Sequence, residues 1–372
     1  MTIRLNTALA TIATLLLFSA CTATTNESSP SEPERPQNVI FMIGDGMGVT
    51  QLTAGHVTNG HHLNITDLPV VGLATTHPHP EQEGNDVVDS AASATAIASG
   101  VTTLNGRIGM DIHENPVLGI LHHTLEQGWS TGVIATSSIT HATPASFVAH
   151  DPSRQNMEAI AADFLDVDLD LFIGGGRQYF AERETDDRNL IEELREKGYA
   201  VHDDIEGMRS VGSGKLAGFI ADGEPARFSE GRGPILPQAT GVGLDLLSQN
   251  PNGFFLSIEG SQIDWAGHAN DMAYIIEEMH DFDAAVGAVM EFARQDGNTL
   301  VVITADHETG GTALDQVDIT NHTVTGNFTT GSHTGAMVPV FAYGPGSEQF
   351  AGVYHQSEIY FKAMGILGFS VE

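Results

Sequence analysis

From Asn38 to near the C-terminus the chain repeats one pattern: a short continuous apolar run, a polar turn, then a stretch compatible with a helix. The runs are Asn38 to Ile43, Val70 to Thr75, Gly132 to Ala135, Leu171 to Ile173, Phe254 to Ile258, Thr299 to Thr304 and Val338 to Tyr343. Most are apolar throughout instead of alternating. Strands read this way when both faces of their sheet are covered, so a mostly parallel sheet between helices is predicted. Met272, Ile275, Met279, Phe282, Val286 and Val289 recur at three- and four-residue intervals, with Glu277, Glu278, Asp281 and Asp283 between them. That spacing predicts an amphipathic helix from Met272 to Arg294. One α/β domain over residues 38–372 follows, with the Gly- and charge-rich stretch near 201–237 able to form an insertion over the sheet.

Charge narrows the functional classes. With 48 Asp and Glu against 15 Lys and Arg, the formal net charge is −33. A nucleic-acid binder working through a general basic surface is excluded, because it needs cations to displace counterions from phosphates. Hydrophobic residues make up 41% of the chain, which argues against disorder. Only three lysines are present, Lys197, Lys215 and Lys362. An acidic surface so poor in lysine suits a halophilic protein and an ordinary acidic exported protein equally well. Either way, an anionic substrate must be held by local positive charge, from metal ions or a specific Arg.

The N-terminus bears on compartment. Arg4 precedes an apolar run from Ala8 to Phe18, too short for the roughly 20 residues that span a bilayer and suited to a signal peptide over residues 1–20. Phe18-Ser19-Ala20 precede Cys21, the only cysteine. A lipid anchor at Cys21 is expected, with simple cleavage after Ala20 as the alternative. Residues 21–37, rich in Thr, Ser, Pro and Glu, read as a disordered tether. The mature chain is then exported, to the periplasm or to the outer membrane as a lipoprotein.

In open α/β sheets functional groups gather beyond the carboxyl ends of the strands, and five polar clusters stand at such positions. Asp45 lies in Gly44-Asp45-Gly46-Met47-Gly48, whose spacing is not that of a dinucleotide loop and whose carboxylate would repel pyrophosphate. It suits a cation, or is a plain turn residue. Asp89 is a candidate N-cap for the slim run Ser90 to Ala96, placing Ser90 where a helix dipole favours an anion or alkoxide; a capped helix of small residues is the plainer reading of that run alone. The third cluster holds His141, Thr143, His150 and Arg154, the last able to grip two phosphate oxygens. In the fourth, Glu259 ends a strand, and Asp264 and His268 stand four apart, sharing one face of a helix. In the fifth, Asp306-His307 directly follow an apolar strand and His333 comes later, a donor mixture suited to zinc. Each cluster alone admits a structural explanation, but together they describe a hydrolytic site holding several metal ions.

The residues Asp89-Ser90-Ala91-Ala92-Ser93-Ala94-Thr95-Ala96, with the clusters Glu259 to His268, Asp306-His307 and His333-Thr334-Gly335, resemble the alkaline phosphatases in order and internal spacing. The resemblance covers the chain from about Asn38 onward. It implies an α/β three-layer sandwich with a mostly parallel central sheet, and hydrolysis of small-molecule phosphate monoesters through a phosphoserine intermediate. It implies two Zn2+ and one Mg2+: Asp264, His268 and His333 on one zinc, Asp45, Asp306 and His307 on the other, and Asp45, Thr143 and Glu259 on magnesium. Ser90 would be the nucleophile, Arg154 the phosphate clamp, and Asp89 the group orienting Arg154. His141 and Trp265 stand where the enterobacterial form has Asp and Lys, and are expected beside the metal ligands instead of among them. A homodimer is implied too. Phosphodiesterases and sulfatases share this metal architecture but carry Thr or a modified Cys as nucleophile. A histidine-rich metal-binding surface lipoprotein would account for His61, His62, His77 and His79, but not for Ser90 beside strand-end ligands.

Overall fold

The computed structural model describes residues 35–369; the expected signal peptide, Cys21 and the tether up to residue 34 lie outside them. The strands of the first half are β1 (Asn38–Gly44), β2 (Val70–Thr75), β3 (Ser130–Ser138), β4 (Leu171–Gly175), β5 (Tyr199–His202) and β6 (Lys215–Phe219). In the second half come β7 (Phe254–Gly260), β8 (Thr299–Thr304), β9 (Glu308–Thr309), β10 (Thr312–Asp318), β11 (Thr323–Phe328), β12 (His333–Thr334), β13 (Val338–Tyr343) and β14 (Gly352–His355). Ten form one sheet in the order β14-β2-β13-β8-β1-β7-β3-β4-β6-β5, while β10 pairs with β11 and β9 with β12. Within the large sheet β13 alone runs against its neighbours, so the expected mostly parallel sheet is what forms.

The central strands β1, β7 and β8 are buried at every position. Their apolar side chains leave water on both faces, at roughly 25 cal/mol for each Å² of apolar surface removed. On one face lie the helices Met272–Asp296, Ile235–Leu247 and Val49–Thr58; on the other lie Ser90–Ser99, Ile120–Glu126, Ala142–Ala145 and Glu358–Leu367. The sheet between these two helical layers gives the three-layer sandwich. Among the described residues no helix is long and apolar enough to cross a membrane.

Local chemistry sets where the helices begin and stop. Asp271 caps Met272–Asp296 by accepting from the Ala273 and Tyr274 amides, and Gly297, at φ 75°, ends it. Asp89 caps Ser90–Ser99 by accepting from the Ala92 amide, and all ten residues of that helix are buried. Ala and Ser there let the backbone approach its neighbours closely. The stretch 201–237, expected as an insertion over the sheet, instead supplies β6, which lies inside the sheet between β4 and β5.

Parallel pairing brings one end of several strands together. Gly44 of β1 lies beside Gly260 of β7, Ile43 beside Thr304 of β8, and Ala135 of β3 beside Glu259 of β7. The residues just after these pairs therefore share one edge.

Candidate active site

The four carboxylates at that edge, Asp45, Glu259, Asp264 and Asp306, are all buried. Asp45 follows β1, and neither of its carboxylate oxygens has a hydrogen-bond partner. Asp306 accepts with Oδ1 from the Gly46 amide at 3.1 Å and the His307 amide at 2.9 Å, leaving Oδ2 unpartnered. Glu259 accepts with Oε2 from Ser261 Oγ at 2.6 Å and Ser137 Oγ at 3.2 Å, while Oε1 and the nearby Thr143 Oγ1 have no partner. Burial, then the Asp306 and Asp264 charges, holds the Asp45 pKa well above its ordinary value, and burial lifts Glu259 to about 7. Gly46, at φ 73°, is required here, since a Cβ on it would stand 2.7 Å from the Asp264 backbone.

Three imidazoles face these oxygens in one orientation. His268 Nδ1 lies 2.8 Å from Gly331 O and His333 Nδ1 lies 3.0 Å from Val88 O. A carbonyl only accepts, so both Nδ1 atoms carry the proton. His307 Nδ1 lies 3.2 Å from Thr309 Oγ1, whose hydroxyl is donated to Asp264, so the same tautomer follows. All three Nε2 atoms are thereby free as ligands. His307 Nε2 lies 3.0 Å from Asp306 Oδ2 and 3.6 Å from Asp45 Oδ1, and His333 Nε2 lies 3.5 Å from Asp264 Oδ1.

The donors fall into three groups able to hold a metal ion: Asp264, His268 and His333; Asp45, Asp264 and His307; and Asp45, His141 and Glu259. Each group offers ligand atoms within 4.8 Å of one another. An uncompensated buried charge costs on the order of several kcal/mol, and unpartnered buried oxygens facing lone-pair nitrogens are the surroundings a divalent cation satisfies. The residues therefore fit metal ions. His141, expected beside the ligands, falls within ligand reach of Asp45 and Glu259.

Ser90 is buried at the first position of its helix, and its Oγ lies 3.3 Å from His307 Nε2. Arg154 donates from Nη1 to Asp89 Oδ2 at 3.0 Å and from Nη2 to His141 Nε2 at 3.3 Å. The guanidinium thus reaches the start of the Ser90 helix. Burial and the Arg154 charge push the His141 pKa down to about 4. The Trp265 ring stands edge-on to His141 at 6.2 Å between centroids. Apart from Thr143, whose hydroxyl has no hydrogen-bond partner, the residues singled out for the site are each joined to a neighbour by a contact or a shared donor group, while His150 turns its Nε2 to Val117 O instead. Thr309 and the carbonyls of Val88 and Gly331 were not foreseen. Thr309 had a signal in its place two residues after His307; a carbonyl has none.

The comparisons with known proteins identify the family and the fold. The family model described as alkaline phosphatase matches residues 36–327. Alkaline phosphatase 3 of Bacillus subtilis is 36% identical over 91% of this chain and 90% of its own length. The alkaline phosphatase of Escherichia coli is 32% identical over 93% of this chain and 89% of its own. The structure of the alkaline phosphatase from the Antarctic bacterium TAB5 superposes with a TM-score of 0.84, at 38% identity, covering 91% of this chain and all of that one. With its ten-stranded sheet, its buried carboxylate and imidazole groups and these relatives together, the chain belongs to the alkaline phosphatase family and is a phosphatase.

Proposed function

We propose that the protein hydrolyses phosphate monoesters through a phosphoserine on Ser90. The observation that carries this is the buried Ser90 Oγ at 3.3 Å from His307 Nε2, at a helix start that faces the convergent carboxylates. Asp264, His268 and His333 would hold one zinc ion, Asp45, Asp306 and His307 a second, and Asp45, Thr143 and Glu259 a magnesium ion. When bound, these ions would supply Lewis-acid stabilisation of the phosphoryl oxygens and lower the pKa of the attacking hydroxyl.

Ser90 Oγ forms a bond to phosphorus as the alcohol leaves, and water then cleaves the phosphoserine to inorganic phosphate. Free amides in the first turn of the Ser90 helix favour the negative charge arriving there. Arg154, held by Asp89, is placed to take two of the three unesterified oxygens of a monoester, whereas a diester has only two in all and leaves none for the metal groups once both are gripped. His141, with its pKa pushed down to about 4, is neutral at working pH and so adds no positive charge beside Arg154. Its Nε2 lone pair is taken by Arg154, so the ring stands beside Asp45 and Glu259 without adding a free nitrogen donor to the third group.

Release of the aryl alcohol from an aryl monoester and from an aryl diester, with elemental analysis of the same preparation, tests the assignment. Faster release from the diester, or full activity in metal-free protein, would overturn it. Export, a lipid anchor at Cys21, a homodimer and salt tolerance belong to the same reading and rest on the sequence and the family resemblance.

A further inference from the structure

Glu308 stands between His307 and Thr309 and is buried, yet none of its hydrogen bonds comes from a basic side chain. Its carboxylate instead takes four donors. Oε1 accepts from Gln51 Nε2 at 2.7 Å and from the Thr312 amide at 3.0 Å. Oε2 accepts from the Gly311 amide at 3.2 Å and from the Thr334 hydroxyl. Gln51, fully buried on the helix Val49–Thr58, donates at the same time to Thr309 O at 2.8 Å. The helix start is cleared for this carboxylate: a Cβ on Gly48 would stand 2.4 Å from Glu308 Cγ.

Those donors come from three pieces of chain that converge on β9. The β10–β11 hairpin leaves the sheet edge after Thr309 and returns at β12. At the base the two legs pair His333↔Thr309 and Thr334↔Glu308, and beyond these the Gly310 amide donates to Ser332 O while the Thr329 and Thr330 amides donate to Gly310 O. The outgoing leg starts next to His307. The returning leg carries His333 and, at Gly331, the carbonyl that fixes His268 Nδ1. By contrast, Asp45, Glu259 and Asp306 are set by core strands of the large sheet. Glu308 therefore clamps one half of the site and leaves the other to the sheet.

We propose that Glu308 is a positioning residue that holds His333 and the His268 anchor in register with His307, so that its loss weakens the metal held by Asp264, His268 and His333 and spares the other. This rests on the metal assignment above. A buried ionised carboxylate is costly to keep without a counter-charge. Groups that orient metal ligands typically change metal affinity by about 10–100-fold when removed. Gln at this position keeps the size and three of the four contacts. Its amide nitrogen can donate to Thr334 Oγ1 but meets the Gly311 N–H donor to donor.

The test uses purified full-length enzyme loaded with zinc or with cobalt(II), comparing wild type, Glu308→Ala, Glu308→Gln, Thr334→Val and His333→Ala. Zinc content after dialysis against a chelating competitor, the cobalt visible spectrum and kcat against KM are read on each. Glu308→Ala is expected to release about one of the two zinc ions at least roughly tenfold faster than wild type. Part of the cobalt absorption should be lost, and kcat should fall more than KM rises, with excess zinc restoring turnover. Glu308→Gln and Thr334→Val should change in the same direction by less, and they decide the matter if the Ala variant does not fold. A general loss of stability would lower the melting temperature without selective zinc release or a changed cobalt spectrum, and that pattern would overturn the proposal. If His333→Ala itself keeps the full metal content, the metal assignment fails. If His333→Ala loses one ion while the Glu308 and Thr334 variants exchange metal like wild type, only the role of Glu308 fails.

Discussion

His268 Nε2 and His333 Nε2 face each other at 3.2 Å, while the opposite nitrogen of each ring is committed to a backbone carbonyl. Two lone pairs at that distance repel unless a proton or a metal ion lies between them. The Asp264 carboxylate lies 3.4 Å from one Nε2 and 3.5 Å from the other, completing a set of three donors. Removing divalent metal should therefore cost stability as well as turnover. A ligand present at 100 times its dissociation constant contributes about 2.7 kcal/mol to folding. Chelator-treated protein, verified as metal-free, is expected to melt several degrees lower than the loaded enzyme and to regain both properties on adding zinc. An unchanged melting curve in metal-free protein would contradict this.

Ser90→Ala removes one hydroxyl from a buried helix start and none of the proposed metal donors. Turnover of an aryl phosphate should fall by about three orders of magnitude or more, as for other nucleophile deletions. Zinc content should stay at the wild-type value. Turnover within tenfold of wild type would remove Ser90 from the nucleophile role.

The Asp89–Arg154 pair at 3.0 Å is about four-fifths buried on both sides, so it restrains the guanidinium more than a surface pair would. Arg154→Ala should cost about 1.5–3 kcal/mol of charge-assisted binding, which corresponds to a rise in KM of about 10–100-fold. Asp89→Asn should give a smaller rise, because the arginine remains but is less directed. Competitive inhibition by inorganic phosphate should weaken in parallel, and equal phosphate affinity in wild type and Arg154→Ala would exclude Arg154 from the binding site.

Trp265 lies against His141, the imidazole that accepts from Arg154. An ammonium introduced at that position would add a second cation beside the phosphoryl oxygens. Trp265→Lys is expected to tighten inhibition by inorganic phosphate and to slow turnover wherever product release limits it. Inhibition constants for phosphate, measured side by side, decide the point; equal values would refute it.

Much of this architecture was legible because burial on both faces leaves a local imprint. β1, β7 and β8 read as continuous apolar runs, and the long helix read through its stripe of Met, Ile, Phe and Val. The strands β5, β6 and β14 left weaker marks. β6 opens on Lys215 and contains Gly218, so its five residues do not make a recognisable apolar run. At the site, carboxylates and imidazoles announced themselves because their chemistry resides in side chains next to strand ends. The carbonyls of Val88 and Gly331, which decide the imidazole tautomers, carry no residue identity to read. Gln51 and Glu308 stayed hidden for a different reason: their partner in each case is far away in the chain, and only folding brings the helix Val49–Thr58 onto β9. His141 was seen, but its distance from Asp45 and Glu259 depends on how the turn after β3 closes.

A last prediction concerns pH and a buried cluster away from the site. Arg232 Nη2 donates to Glu278 Oε2 at 2.6 Å and to Asp281 Oδ2 at 3.0 Å, with all three side chains almost wholly buried. One guanidinium faces two carboxylates, and Asp281 Oδ1 has no partner. Burial pushes the Asp281 pKa up to about 7, against the opposing pull of Arg232. In the unfolded chain the same carboxyl titrates near its ordinary value of about 3.9. Between those two values the folded state holds a proton that the unfolded state has lost, so this group makes stability fall as pH rises from about 4 to 7 and adds no further change above that. Asp281→Asn keeps an acceptor for Arg232 and leaves a one-to-one pair with Glu278. It should therefore raise the melting temperature at pH 8, with the gain shrinking towards zero as pH is lowered to about 4. Melting curves of both proteins across that range provide the check, and a gain that grows on acidification would mean that Asp281 is ionised in the folded enzyme throughout.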